Sequence, residues 1–171
     1  MKDLRKGTDE RLLEKLARII PGYGGYKDKE IRREADKAQR MHLSRRLGEV
    51  RSSLMSVNAE LTDRGYLDAL GESDRTSRRL EMIGDRIRFA SYGYAGFFDL
   101  VKVREEELDR MYEFDASLLE GVDGMKEAVE GLSGALESQD TAREKVREID
   151  SLIGEMEMKL NEREELLRGM G

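Results

Sequence analysis

The chain has 171 residues, 40% of them charged and 38% hydrophobic, with one proline, one histidine and no cysteine. That length fits a single domain, and the absence of cysteine excludes a disulfide framework, a thiolate metal site and a thiol nucleophile. The net charge of −6 hides a gradient: residues 1–65 hold 16 Lys and Arg against 11 Asp and Glu, whereas residues 105–171 hold 8 against 20. Two readings follow: basic and acidic helices that neutralise each other, or a basic face that meets an anionic surface.

The first six residues are polar and lack the apolar core of a signal peptide, so a cytoplasmic location is expected. No run of apolar residues is long enough to cross a membrane. Thr8 reads as an N-cap for a first helix over residues 9–20, with Leu12, Leu13, Leu16, Ile19 and Ile20 as its apolar stripe. A helix of three turns is marginal alone and must dock on something. Residues 21–27, PGYGGYK, form a glycine-rich loop.

A second helix is predicted over residues 28–64. Leu43, Leu47, Val50, Leu54, Val57 and Leu61 recur in steps of four and three, which is heptad spacing. The first half reads Ile31, Ala35, Gln39, Leu43 in steps of four, a change of pitch. After a turn over residues 65–72, a third helix is expected over residues 73–120. Its seam runs Leu80, Ile83, Ile87, Ala90, Tyr94, Phe97, Val101, Arg104, Leu108, Met111, Asp115 and Leu118. Gly121 and Gly124 bracket a predicted turn over residues 121–124, and a fourth segment runs over residues 124–168. Arg163 interrupts its seam.

These elements predict an all-α chain: one domain over residues 1–171, an elongated antiparallel three-helix coiled-coil bundle with a short extra N-terminal helix. The competing architecture is an extended hairpin that completes its core by oligomerising. A hairpin centred on residue 69 places residues 23–28 near residues 110–115, and residues 41–45 near residues 93–97.

Two segments are too distinctive for simple packing. Five of the ten aromatic residues, Phe89, Tyr92, Tyr94, Phe97 and Phe98, fall within ten positions together with Gly93 and Gly96. They read as an aromatic core layer or as a recognition surface. The loop with Tyr23 and Tyr26 is expected beside Met111, Tyr112 and Phe114, where it clamps the first helix or binds a phosphate or a peptide through free amides. Its order does not fit a nucleotide-binding loop. The stretches PGYGGYKDKEIRREAD (residues 21–36) and RIRFASYGYAGFFDLVKVREEELDRMYEFD (residues 86–115) resemble segments of a widespread family of uncharacterised helical proteins from bacteria and archaea. That resemblance implies no activity; it implies that the two stretches define the family, and it fits their being neighbours in space as the hairpin geometry predicts.

Arg104 and Asp115 fall on the predicted seam as candidate buried polar residues that fix register. The expected partners of Asp115 are charges on the second or fourth segment, because a buried carboxylate needs one. A lone histidine, His42, makes a poor site. No triad, zinc spacing or dinucleotide fingerprint is present, so no catalytic, cofactor-binding or metal residue is assigned. The expected function is a non-enzymatic structural or adaptor role through helix contacts with a protein partner or with itself. The alternative is binding of a membrane surface or of an anionic polymer such as nucleic acid by the basic N-terminal half.

Overall fold

The computed structural model describes residues 2–90 and 95–170, with the side chains of residues 10–90 and 96–170. Among the described residues it is all-α, without a strand. Its helices are α1 (Lys2–Ile19), α2 (Lys29–Asp63), α3 (Leu67–Phe89), the five-residue α4 (Ala95–Asp99), α5 (Glu105–Ser133) and α6 (Gln139–Met170).

Four of these are long, where three were expected. The predicted third helix is split: α3 ends at Phe89, and residues 100–104 are non-helical before α5 begins. The unbroken three-and-four spacing across this gap was coincidental, for Val101, on the predicted seam, is 89% exposed. The expected turn over residues 121–124 is helix. Val122 and Met125 are buried there, and a Cβ on Gly121 would lie 3.2 Å from the Met156 methyl, so this glycine admits α6 rather than ending α5. The real turn is residues 134–138, further along the chain. Ser138 caps α6 by accepting the Thr141 backbone N–H at 3.2 Å.

The earlier turn is also shorter than expected. Gly65 takes a left-handed φ of 71°, and α3 starts at Leu67 rather than at residue 73. Ser73 is a buried residue bonded to Asn58, not a cap. At the other end, α1 begins at Lys2, so Thr8 lies inside the helix.

α2 and α3 form one antiparallel hairpin, and α5 and α6 form another. α2 packs against α3 and α5, and α6 packs against the same two, so α2 and α6 occupy opposite corners of a four-helix bundle. Both hairpin turns lie at one end, where Arg64 Nη1 donates to the Leu136 carbonyl at 3.0 Å. Arg86 reaches Glu164, Arg79 reaches Asp150 and Glu157, and Glu72 reaches Arg143. These contacts advance in the same direction along both helices, so α3 and α6 run parallel. Residues 72, 79 and 86 are heptad-spaced, as are 143, 150, 157 and 164. This ladder neutralises part of the acidic C-terminal helix within the chain.

α1 packs on α5 through the fully buried Leu16 and Ile20. Residues 23–28 do meet residues 112–115, as Tyr26 bonds Tyr112 and Asp115. They do so because α5 starts afresh after the break, not by continuation of one hairpin. Arg40 lies instead against the carbonyls of Ile87 and Arg88, and Ser44 against Gly84. The hairpin therefore centres nearer residue 65.

Two glycines separate backbone need from tolerance. Gly25 has a φ of 79°, and a Cβ there would stand 2.7 Å from the Tyr112 hydroxyl and 2.8 Å from Leu13 Cδ1. Gly25→Ala should cost about 1–3 kcal/mol. Gly48 lies inside α2 with open space around it, and Gly48→Ala should stabilise by about 1 kcal/mol. Urea unfolding followed by far-ultraviolet circular dichroism measures both. Opposite signs are expected.

Candidate functional site: a buried ion-pair cluster between three helices

Three charged residues of α2, Arg32, Asp36 and Arg40, recur every four positions and so share one helix face. All three are buried. Of the expected inner face of this segment, Ala35, Gln39 and Leu43 are buried and Ile31 is 37% exposed, and the buried face extends further to take in the charged trio. Hydrophobic spacing could not find this, because the residues facing inward are charged.

Each guanidinium has a distinct task. Arg32 donates to the carbonyls of Tyr26 at 2.7 Å, Phe97 at 3.1 Å and Leu100 at 3.0 Å. It thereby ties the glycine-rich loop to the end of α4, with its guanidinium 5.3 Å from the Phe97 ring centre. Burial pushes Arg32 below its ordinary pKa, since no carboxylate touches it. Arg40 donates to the Arg88 carbonyl at 2.9 Å, satisfying the last turn of α3. Its Nε holds Asp36 at 2.7 Å. Two arginines of α2 thus bind backbone carbonyls on either side of the break between α3 and α5.

At the centre, Arg163 of α6 bridges two carboxylates. Its Nε donates to Asp115 of α5 at 3.0 Å, and its Nη2 donates to Asp36 at 3.1 Å and to the Tyr26 hydroxyl at 3.1 Å. The other Asp115 oxygen accepts from the Tyr23 hydroxyl at 2.8 Å and from the Tyr26 hydroxyl at 2.5 Å. Two arginines and two aspartates leave the cluster neutral. Burial pushes the Asp115 carboxyl up, while Arg163 and the two phenols pull against that push. Burial, reinforced by the Asp115 charge, raises both tyrosines, so they stay neutral donors. Arg163 is held well above its ordinary pKa: burial opposes its charge, but Asp115, Tyr26 and Asp36 outweigh burial.

Aromatic rings enclose this cluster. Tyr26 stacks on Tyr112 at 5.8 Å between centroids and meets Tyr23 and Phe97 edge-on. The Tyr112 hydroxyl accepts the Tyr26 backbone N–H at 3.1 Å, one of the loop amides considered for anion binding. Phe98 is buried against Phe97, and Phe114 is half-buried between α5 and α6. Phe89 is 63% exposed, so it belongs to no core layer, and Gly96 is exposed as well. Tyr92, Gly93 and Tyr94 lie outside the described residues. Of the two candidate register residues, Asp115 is fully buried, whereas Arg104 is not: it precedes α5 and pairs with Glu107 in solvent. Arg163 and the Arg32, Asp36, Arg40 trio are cluster residues whose burial sequence reasoning missed. The interruption of the α6 seam was the available signal for Arg163.

The cluster has no room for a substrate. The adjacent cavity, lined by Gln39, Arg40, Leu43 and Arg163, measures about 20 Å³, space for about one water. His42 is buried and held below its ordinary pKa by burial and by Arg45 and Arg46. Among the described residues no group of acidic or histidine side chains could hold a metal ion.

Fold and cluster together define a helical-bundle protein with a polar rivet joining α2, α5 and α6 to the loop after α1. No protein-family model, curated protein or solved structure matches the chain.

Removing one partner of this rivet leaves the others charged and dry. Arg163→Met should lower stability by about 3–5 kcal/mol. Tyr26→Phe removes one hydroxyl and should cost about 1–3 kcal/mol. Combining Arg163→Met with Asp115→Asn should cost less than the sum of the single changes. Equilibrium denaturation of the four proteins tests the coupling, and strict additivity would show that the groups do not interact.

Proposed function

We propose that the protein is a non-enzymatic structural or adaptor component that works through helix-to-helix contacts, with protein partners or with further copies of itself. The supporting observation is the outward apolar set on its long helices. Met41, Met55, Met82 and Met158 are 44%, 50%, 67% and 59% exposed, and Leu67 and Phe89 are exposed as well. Methionine is flexible and polarisable, and exposed methionines suit contact with other helices. The polar groups that a catalytic site would need, Asp36, Asp115 and Arg163, are instead saturated by one another. Coiled-coil packing of the heptad-spaced edges is part of this reading. A cysteine-free chain suits the reducing cytoplasm, and among the described residues no helix is long and apolar enough to cross a membrane.

The alternative, an anionic surface held by the basic N-terminal half, has less support. Arg32 and Arg40 are buried, and Arg33, Arg46 and Arg51 pair with Asp99, Asp123 and Glu81.

Sedimentation velocity over a wide concentration range, with cross-linked pull-down from lysate of the source cells, tests the proposal. Reversible oligomers, or a stoichiometric partner complex, are expected. A protein that stays monomeric throughout and captures no stoichiometric partner overturns it.

A further inference from the structure

On α2, the exposed Met41 is flanked four residues either side by the exposed Lys37 and Arg45. On α6, the exposed Met158 is flanked by the exposed Glu155 and Glu162. One stripe is basic–methionine–basic, the other acidic–methionine–acidic. The Arg45 side chain is 61% exposed: one nitrogen, Nη2, lies 3.1 Å from His42 Nδ1, and its nearest carboxylate, Glu49, is 4.0 Å away, so its charge remains available to a closer carboxylate.

The bundle puts these stripes on opposite sides and at one height. α2 and α6 stand at opposite corners, and Asp36 meets Arg163 across the core at 3.1 Å, which levels residues 37–45 with residues 155–162. The two helices also run in opposite directions, because α2 is antiparallel to α3 and α3 is parallel to α6. A second copy displaced sideways therefore brings its α6 antiparallel to the first copy's α2. In that register Lys37 faces Glu162, Met41 faces Met158, and Arg45 faces Glu155. The spacings of four and four on one helix and three and four on the other keep each pair within a turn. Met41 also borders an open groove of about 570 Å³ between Pro21 and Arg88. That groove can receive the Met158 side chain, with Arg88 adding a further cation. Glu34, one turn earlier, would face Glu165, and that like-charge pair marks where the complementary stretch ends.

We propose that the Lys37–Met41–Arg45 stripe of one copy docks on the Glu155–Met158–Glu162 stripe of another. This deepens the self-association proposed above and rests on it. The contact uses different surfaces on two copies related by a sideways displacement without rotation, so it propagates as an open chain of bundles. Exposed ion pairs flank it, so it weakens with salt.

Sedimentation velocity at low and high salt, on the full chain and on charge-reversed variants, tests it. All the changed side chains are exposed, and circular dichroism verifies that each variant folds. Arg45→Glu or Glu155→Arg alone should weaken association at least tenfold. Mixing the two single variants, or combining both changes in one chain, should restore it, because each reversed side chain again finds its opposite. Association that is indifferent to both changes overturns this surface while leaving self-association standing. A chain that is monomeric at low salt overturns the surface and self-association alike, and then only capture of a different protein would sustain the adaptor reading.

Discussion

A guanidinium in a dry interior needs acceptors on every side, and Arg163 is where that requirement shapes the fold. Its donors reach Asp115 on α5, Asp36 on α2 and the hydroxyl of Tyr26 in the loop. Three helices and one loop must therefore be in register together, since a slip of any one leaves a charge unpaired at a cost of several kcal/mol. Apolar packing along the bundle is more permissive. Leu, Val and Ile recurring every three or four residues would accept a shift by one heptad with modest loss. The polar cluster accepts one alignment, and supplying that selectivity is the best-attested use of buried polar groups in helical assemblies.

The same trio on α2 explains a break that intrinsic helix preference does not. Nothing in residues 86–105 forbids helix, and the apolar spacing continues through them. Yet Arg40 binds the terminal carbonyls of α3, and Arg32 binds those of α4. Each arginine offers more donors than a continued helix could, and Asp36, held by Arg40 and Arg163 alike, ties this face to the rest of the cluster. Long-range hydrogen bonding thus overrides a local pattern, and the chain gains the crossover needed to lay the second hairpin beside the first.

The all-α class was legible from periodicity; the Tyr23–Tyr26 loop does lie beside residues 112–115, but through the fresh start of α5 rather than the continuous hairpin from which that proximity was expected. Helix count was not legible. Gly121 and Gly124 carry the composition of a turn, but the first makes space for Met156 inside a continuous helix. A glycine needed for close approach and a glycine needed for positive φ look alike in sequence. The buried partner of Asp115 could be sought on other helices but not named, since charge pairing across 48 positions leaves no local trace. The face bearing Arg32, Asp36 and Arg40 was passed over for the opposite reason: its four-residue spacing is plain, but charged residues at that spacing usually lie in solvent, and here backbone carbonyls receive Arg32 and Arg40 while Arg40 and Arg163 hold Asp36.

The distribution of charge follows from these internal commitments. The α3–α6 ladder takes up Arg79, Arg86 and Arg143, and the buried cluster takes up Arg32, Arg40 and Arg163. Cations consumed inside cannot screen the outer face of α6, which keeps Glu155 and Glu162 in solvent, while the outer face of α2 keeps Lys37 and Arg45. A molecule arranged this way is polar across its width rather than along its length. In the self-association proposed above, opposite charges on opposite sides would favour stacking side to side over pairing face to face, because a two-fold pair would set like against like. The exposed methionine between each pair of charges gives such stacking an apolar centre that charge alone would lack. The identity of the core and the polarity of the surface are in this sense one property: both are set by which arginines the bundle draws inward.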